Sequence, residues 1–338
     1  MAQPRYSHTY RQSEIGLICD FARRGQSLCL VGVAGSGKSN VINLLHSDPY
    51  GYKALYLGGA VDDVHFPVVA GPAVRGSPQA LWEAMSTALH EVARGLAWPE
   101  ADSKIRPISL EQGAYSLLRA QVRTLCQDHD RRVMFVFDDF DGVLATGPLA
   151  MLEQLAALRN DGNRDRLSYL LFTKGLPHLL GRAHPLQDHS KFYDLFRHHI
   201  YALPPYERED ARQMLRFLNE NGGRPVPMAE LAGILELAGG HASLLRILLE
   251  IWREPVADGY SAFDLVQRTD VRSECRRILL GLHEEERTAA LALARPQPGA
   301  VDPQVVEHLA VRGLLKRKGD GWAWFSEIFA RYLESHTG

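Results

Sequence analysis

From Ser27 to Leu203, short runs of consecutive apolar residues alternate with stretches whose apolar positions recur every three or four residues. Continuous apolar runs of this length fit strands buried on both faces, and the longer recurrence fits the helices that cover them. Strands are predicted at Ser27 to Val31, Ala54 to Leu57, Val133 to Phe137, Tyr169 to Phe172 and Ile200 to Leu203. Helices are predicted at Gln79 to Val92, Gln112 to Cys126, Leu149 to Leu158 and Phe192 to Phe196. The alternation implies an α/β fold, a parallel sheet flanked by helices. Asp62 to Pro78, rich in glycine, proline and valine, reads as a loop or small insertion.

Past Pro204-Pro205 only helical patterns remain: Glu207 to Leu218, Met228 to Leu237 and Ala242 to Trp252, punctuated by Gly222-Gly223 and Gly239-Gly240. They predict a small helical lid. Further helices are predicted at Ser273 to Leu282, Glu284 to Ala294 and Pro303 to Arg312. Two short strands then flank Gly319-Asp320-Gly321, a hairpin signal, and a closing helix runs from Ser326 to Ser335. Three helices followed by a hairpin is the plan of a winged helix. The expected division is a core at 1–204, a lid at 205–268 and a winged-helix domain at 269–338.

The run Ser27 to Val31 leads into Gly32-Val33-Ala34-Gly35-Ser36-Gly37-Lys38-Ser39, a complete G-x-x-x-x-G-K-[ST] loop, with a helix opening at Asn40. This is the phosphate-binding P-loop pattern. Its glycines let the backbone turn tightly enough for successive N–H groups to face phosphate oxygens at the positive end of a helix dipole. The expected roles are phosphate binding by residues Gly32 to Asn40, with Lys38 on the β- and γ-phosphates and Ser39 on Mg²⁺.

A second candidate is Val133 to Phe137 followed by Asp138-Asp139, an apolar strand ending in two acids, as in a Walker B motif. A carboxylate at the tip of such a strand can hold the Mg²⁺ hydration shell while its neighbour polarises an attacking water. Asp138 is assigned to the metal and Asp139 to the water. Many ATPases carry glutamate at the second position, and a carboxylate set back by about 1 Å can cost roughly a hundredfold. Slow turnover is therefore expected. Thr173 closes the next strand and is either a γ-phosphate sensor or an ordinary strand-end threonine. Arg197 is either an arginine finger for a neighbouring subunit or a surface charge, with Arg159 and Arg182 as weaker candidates.

Composition narrows the class. The 338 residues are 46% hydrophobic and 23% charged, with a formal net charge of −2; this excludes a globally basic, nucleic-acid-coating protein but leaves room for a local basic patch. No run of about 18 apolar residues could span a bilayer, and Met1 to Ser13 lacks an apolar signal core, so a cytoplasmic protein is expected. Cys19, Cys29, Cys126 and Cys275 lie far apart, without metal-ligand spacing, and read as buried thiols.

In order, the P-loop, the strand with paired acids, the sensor strand, Ile200-Tyr201-Ala202-Leu203-Pro204-Pro205-Tyr206, the lid and the winged helix resemble the AAA+/STAND ATPases, in their Orc/Cdc6-like and bacterial STAND branches. Leu237-Ala238-Gly239-Gly240-His241-Ala242-Ser243-Leu244-Leu245 resembles the lid segment often written Gly-Gly-His-Pro-x-Leu-Leu, with Ala242 in place of the proline. Arg11-Gln12-Ser13-Glu14 loosely resembles the Gly-Arg-Glu element on the adenine side. The resemblance implies ATP and Mg²⁺ as cofactors and nucleotide-dependent switching coupled to homo-oligomerisation or a partner protein.

Two other readings remain at this stage. A DNA-binding AAA+ protein of the initiator or transposition-regulator kind would place Lys316, Arg317 and Lys318, beside Trp322 and Trp324, on duplex phosphates. Its recognition helix, with Val301-Asp302 at the start and Glu307 within, has few groups to read bases. A metabolic P-loop enzyme or GTPase finds a D-x-x-G match in Asp139 to Gly142, but Thr173-Lys174-Gly175-Leu176 lacks the aspartate that reads guanine.

Overall fold

A computed structural model of the chain describes residues 5–7, 9–47, 51–74, 77–95, 113–181, 190–254, 262–295, 301–319 and 321–336. Its contacts divide into two compact units. One comprises Ser13–Val31 and Lys38–Tyr201, the other Met1–Gln12, Gly32–Gly37 and Ala202–Gly338.

The first unit is built on a sheet with strands β1 (Leu28–Val31), β2 (Val64–His65), β3 (Val68–Ala70), β4 (Arg132–Asp138), β5 (Leu167–Thr173) and β6 (Ile200–Ala202). The order is β2-β4-β5-β1-β6, with β3 also paired to β4. The β1/β5, β4/β5, β2/β4 and β3/β4 pairings are all parallel. Every residue of β1 and β5 is buried, as a sheet covered on both faces requires. The register sets Val31 beside Thr173 and Phe137 beside Leu171, so β1, β4 and β5 finish at the same edge of the sheet. Helices Gln12–Arg23, Lys38–Ser47, Pro78–Gly95, Ala114–Arg123 and Leu149–Asn160 surround it.

Two expectations for this unit are corrected. Ala54 to Leu57 is not a strand: it belongs to the helix Tyr52–Leu57, where Leu55 is 67% exposed and only Leu57 is fully buried. A run of four apolar residues carries no period to separate helix from strand. Asp62 to Pro78 is not simply a loop, because it supplies β2, β3 and the short helix Gly71–Val74. β2 and β3 run along the same side of β4, and the interruption between them holds Pro67, which has no N–H to donate but whose carbonyl accepts from Val136 N at 2.8 Å.

The second unit carries helices Arg208–Asn221, Met228–Ala238, Ala242–Arg253, Ala262–Gln267, Thr269–Leu280, Glu284–Leu293 and Pro303–Val311. The antiparallel hairpin β7 (Leu315–Lys318) and β8 (Gly321–Trp324) and the helix Glu327–Glu334 complete it. Gly319 takes φ +58° at the hairpin turn. The Glu286 carboxylate and Arg312 guanidinium form an ion pair with both side chains 1% exposed. No described helix is long and apolar enough to cross a membrane.

Candidate functional site

In the sheet unit, the helix Lys38–Ser47 opens on two predicted residues. Lys38 is 8% exposed, whereas Ser39 faces solvent and Asn40 is half-buried. Burial pulls the Lys38 ammonium down to about pKa 8; the carboxylates Asp141, Asp138 and Asp139 oppose the shift and the cation Lys174 adds to it. Two lysines and three aspartates therefore share one electrostatic environment at the carboxyl ends of β4 and β5.

The three carboxylates differ in what holds them. Asp138 closes β4, and its pKa is raised, first by burial and then by neighbouring Asp139. Asp139 sits in the left-handed region at φ +52°, a conformation aspartate tolerates better than most residues. It forms an ion pair with Lys174 Nζ at 2.5 Å. Gly71 passes so close beneath that a Cβ there would lie 2.5 Å from the carbonyl oxygens of both Asp138 and Asp139. Asp141 accepts from the backbone of the β5 exit, from Lys174 N at 2.9 and 3.0 Å and from Gly175 N at 2.9 Å. Burial raises its pKa and those two amides hold it back.

Thr173 is fully buried, with its hydroxyl 3.4 Å from Cys29 Sγ on β1. The group that reaches Asp139 from the end of β5 is the next residue, Lys174. Arg197 is 46% exposed and pairs with Asp194 at 2.9 Å. Arg159 donates to the carbonyls of Leu167 and Gly25 at 3.1 and 2.8 Å. Arg182 lies outside the described residues.

In the other unit the loop Gly32–Gly37 is held by its carbonyls. His241 Nε2 donates to the Ala34 carbonyl at 2.8 Å, Ser243 N to the Gly35 carbonyl at 3.2 Å, and Arg11 Nη2 to the Ser36 carbonyl at 2.8 Å. The second turn of the loop needs its glycines: Gly35 and Gly37 take φ +76° and +96°. A Cβ on Gly35 would meet Glu274 Oε1 at 2.4 Å, and one on Gly37 would meet the Tyr206 hydroxyl at 2.6 Å. Val33 and Ala34 are buried. Ser36 Oγ is also buried, and it has no hydrogen-bond partner among the described residues. A cradle without side chains and an orphaned buried hydroxyl fit a phosphate ligand. For the metal, no group of three or more His, Cys, Asp or Glu side chains among the described residues could hold an ion alone. One carboxylate and one hydroxyl fit Mg²⁺, which keeps waters and completes its shell with substrate phosphates.

Arg11, His241, Asp141 and Lys174 were not singled out as site residues from the sequence. Arg11 also donates to the Pro204 carbonyl at 2.9 Å, and its guanidinium lies 4.6 Å from the Tyr206 ring centre. On the hairpin, Lys316 Nζ approaches the Gly239 carbonyl at 3.5 Å and Arg317 stacks over Trp322 at 4.6 Å. Lys318 is exposed.

Residues 22–180 match the family model of the AAA domain. The Walker-type ATPase PABY2304 of Pyrococcus abyssi shares the fold over 98% of this chain and 97% of its own, with TM-score 0.58 and 13% identity. The Aeropyrum pernix ORC2 protein in its ADP form aligns over 100% of this chain and 96% of its own, with TM-score 0.50 and 15% identity. At these identities the likeness is one of fold. No curated protein is matched by the sequence.

Proposed function

We propose that this chain, which belongs to the AAA+ P-loop ATPases, binds ATP with Mg²⁺ and hydrolyses it slowly as a conformational switch. The observation that carries this reading is the buried Lys38 among Asp138, Asp139 and Asp141 where the strands end. Lys38 and the loop amides bind the phosphates, Ser39 and Asp138 hold the hydrated Mg²⁺, and Asp139 orients the attacking water. Bound Mg²⁺ supplies charge neutralisation on the transferred phosphoryl group. Asp139 stays paired with Lys174 until nucleotide arrives, which fits a timer better than a metabolic catalyst. The loop carbonyls are gripped by Arg11, His241 and Ser243, so a change in loop shape on nucleotide binding is felt by the helices that follow Tyr206. Those helices serve as lid and winged helix, and Arg197 acts in a neighbouring copy once it leaves Asp194.

The test is solution mass and turnover with ATP, ADP or no nucleotide, for wild type, Lys38→Ala and Asp139→Asn. The expected result is nucleotide-dependent mass for wild type, lost in Lys38→Ala, with turnover far below ten per second. Fast unactivated turnover, or a mass that never depends on nucleotide, would refute it.

Duplex DNA binding by the hairpin is the second reading. It is favoured by solvent-facing Lys318 and by Arg317 laid over Trp322, itself 40% exposed. A Lys316/Arg317/Lys318→Ala triple variant with unchanged duplex affinity would remove it.

A further inference from the structure

In a trans peptide the carbonyl of one residue and the N–H of the next point in opposite directions. Whatever holds a loop carbonyl on one side therefore aims the following amide to the other. Ala34 and Ser36 both have their carbonyls held by side chains from outside the loop, His241 and Arg11 respectively. The amides thereby aimed the opposite way are those of Gly35 and Gly37. Between them, the Ser36 N–H turns back on the Val33 carbonyl at 3.2 Å.

We propose that His241 and Arg11 are positioning residues that fix the 34–35 and 36–37 peptide planes, so that the Gly35 and Gly37 amides are preset for a polyphosphate. The inference rests on the nucleotide reading above and names residues that touch the loop rather than the ligand. His241 suits the task because both ring nitrogens are committed. Nδ1 accepts from Leu244 N at 3.4 Å, capping the helix Ala242–Arg253, which makes Nε2 the protonated nitrogen that donates to Ala34. The ring is fully buried, with its centre 5.5 Å from that of Phe325. Arg11 is 3% exposed, and its backbone N donates to Asp210 Oδ2 at 2.8 Å. Neither plane is fixed by the glycines themselves, which are the residues freest to flip. Preset amides spare the ligand the cost of ordering them, and that saving appears as affinity.

The experiment measures binding of N-methylanthraniloyl-ADP with Mg²⁺ to full-length His241→Phe and His241→Gln, with adenosine as competitor. Both variants lose the Nδ1 cap, phenylalanine keeps a ring beside Phe325, and only glutamine returns an N–H that can reach Ala34. The expected result is a Kd raised about tenfold or more in His241→Phe, within about threefold of wild type in His241→Gln, and unchanged adenosine affinity in both. Arg11→Met, which releases the other plane, gives the same loss independently, should His241→Phe fail to fold. A His241→Phe Kd equal to wild type, or equal losses in the two His241 variants, would overturn the inference while leaving the nucleotide reading intact. Folded wild type that binds no labelled ADP or ATP would remove the nucleotide reading itself, and this inference with it.

Discussion

Lys174 Nζ lies 2.5 Å from Asp139 Oδ1, joining the residue after β5 to the residue after β4. An ion pair between partly exposed groups adds little to stability. Its weight lies in holding the Asp139 carboxylate in one orientation. We expect Lys174→Ala and Asp139→Asn each to lower ATP turnover about tenfold, and the double variant to be no slower than Asp139→Asn alone. A double-mutant cycle on turnover checks this, and additive losses would mean that the two act separately.

Asp141 ties the same two segments through backbone. Removing its carboxylate leaves the amides of Lys174 and Gly175 without their acceptor, at a cost of about 1–3 kcal/mol for each amide. Asp141→Ala is expected to lower the stability of the sheet unit by about 2–4 kcal/mol in denaturant titration. Asp141→Asn keeps the oxygen that both amides share and should recover most of that loss.

Gly35 accepts no side chain. At φ +76°, with Glu274, His241 and Ser243 atoms 2.4–2.6 Å from an added Cβ, Gly35→Ala must shift the loop or its neighbours. We expect ADP affinity to fall at least tenfold, with a melting temperature a few degrees lower. Wild-type binding would show that the loop gives way there without cost.

His65 makes stability depend on acid. Burial, with Arg131 and Lys53 adding to it, pulls its imidazole from 6.5 down to about 4. The unfolded chain therefore binds the proton more tightly, so stability is full above about pH 6.5 and is lost as pH falls toward 4. The loss is on the order of 1–3 kcal/mol after allowing for partial exposure. Denaturation at pH 7.5 and 4.5 should show a smaller difference for His65→Leu than for wild type.

The buried Glu286–Arg312 pair behaves differently from a surface ion pair. Glu286 Oε2 also accepts from His283 N at 2.8 Å, and Arg312 Nη2 donates to the Gly281 carbonyl at 3.0 Å. Glu286→Gln, which leaves the guanidinium buried without its counter-charge, is expected to cost about 3–5 kcal/mol by urea denaturation. Glu286→Leu/Arg312→Met together should cost markedly less.

The long buried strands were legible because their residues are apolar without interruption: Leu28 to Val31, Val133 to Phe137 and Tyr169 to Phe172 admit little else. The segment Val64 to Ala70 was not, since strands of two and three residues divided by Phe66-Pro67 carry no pattern of their own. At the site, the glycines, Lys38 and the paired aspartates stand out because their chemistry is written in adjacent residues. Arg11, His241, Asp141 and Lys174 act on backbone groups or side chains that folding brings to them from 25 to 207 positions away, apart from the cap on Leu244. Thr173 stands where a sensor was sought, yet its hydroxyl meets Cys29 instead, a distinction that only the β1/β5 register reveals.

The interruption at Pro67 also bears on how copies of this chain can meet. β2 and β3 form one border of the sheet and β6, three residues long, forms the other. Neither border offers an unbroken row of amides and carbonyls long enough to template a foreign strand. Assembly by edge-to-edge strand addition, and the fibrous aggregation it invites, is thereby disfavoured. Any assembly these molecules form must be written in side chains.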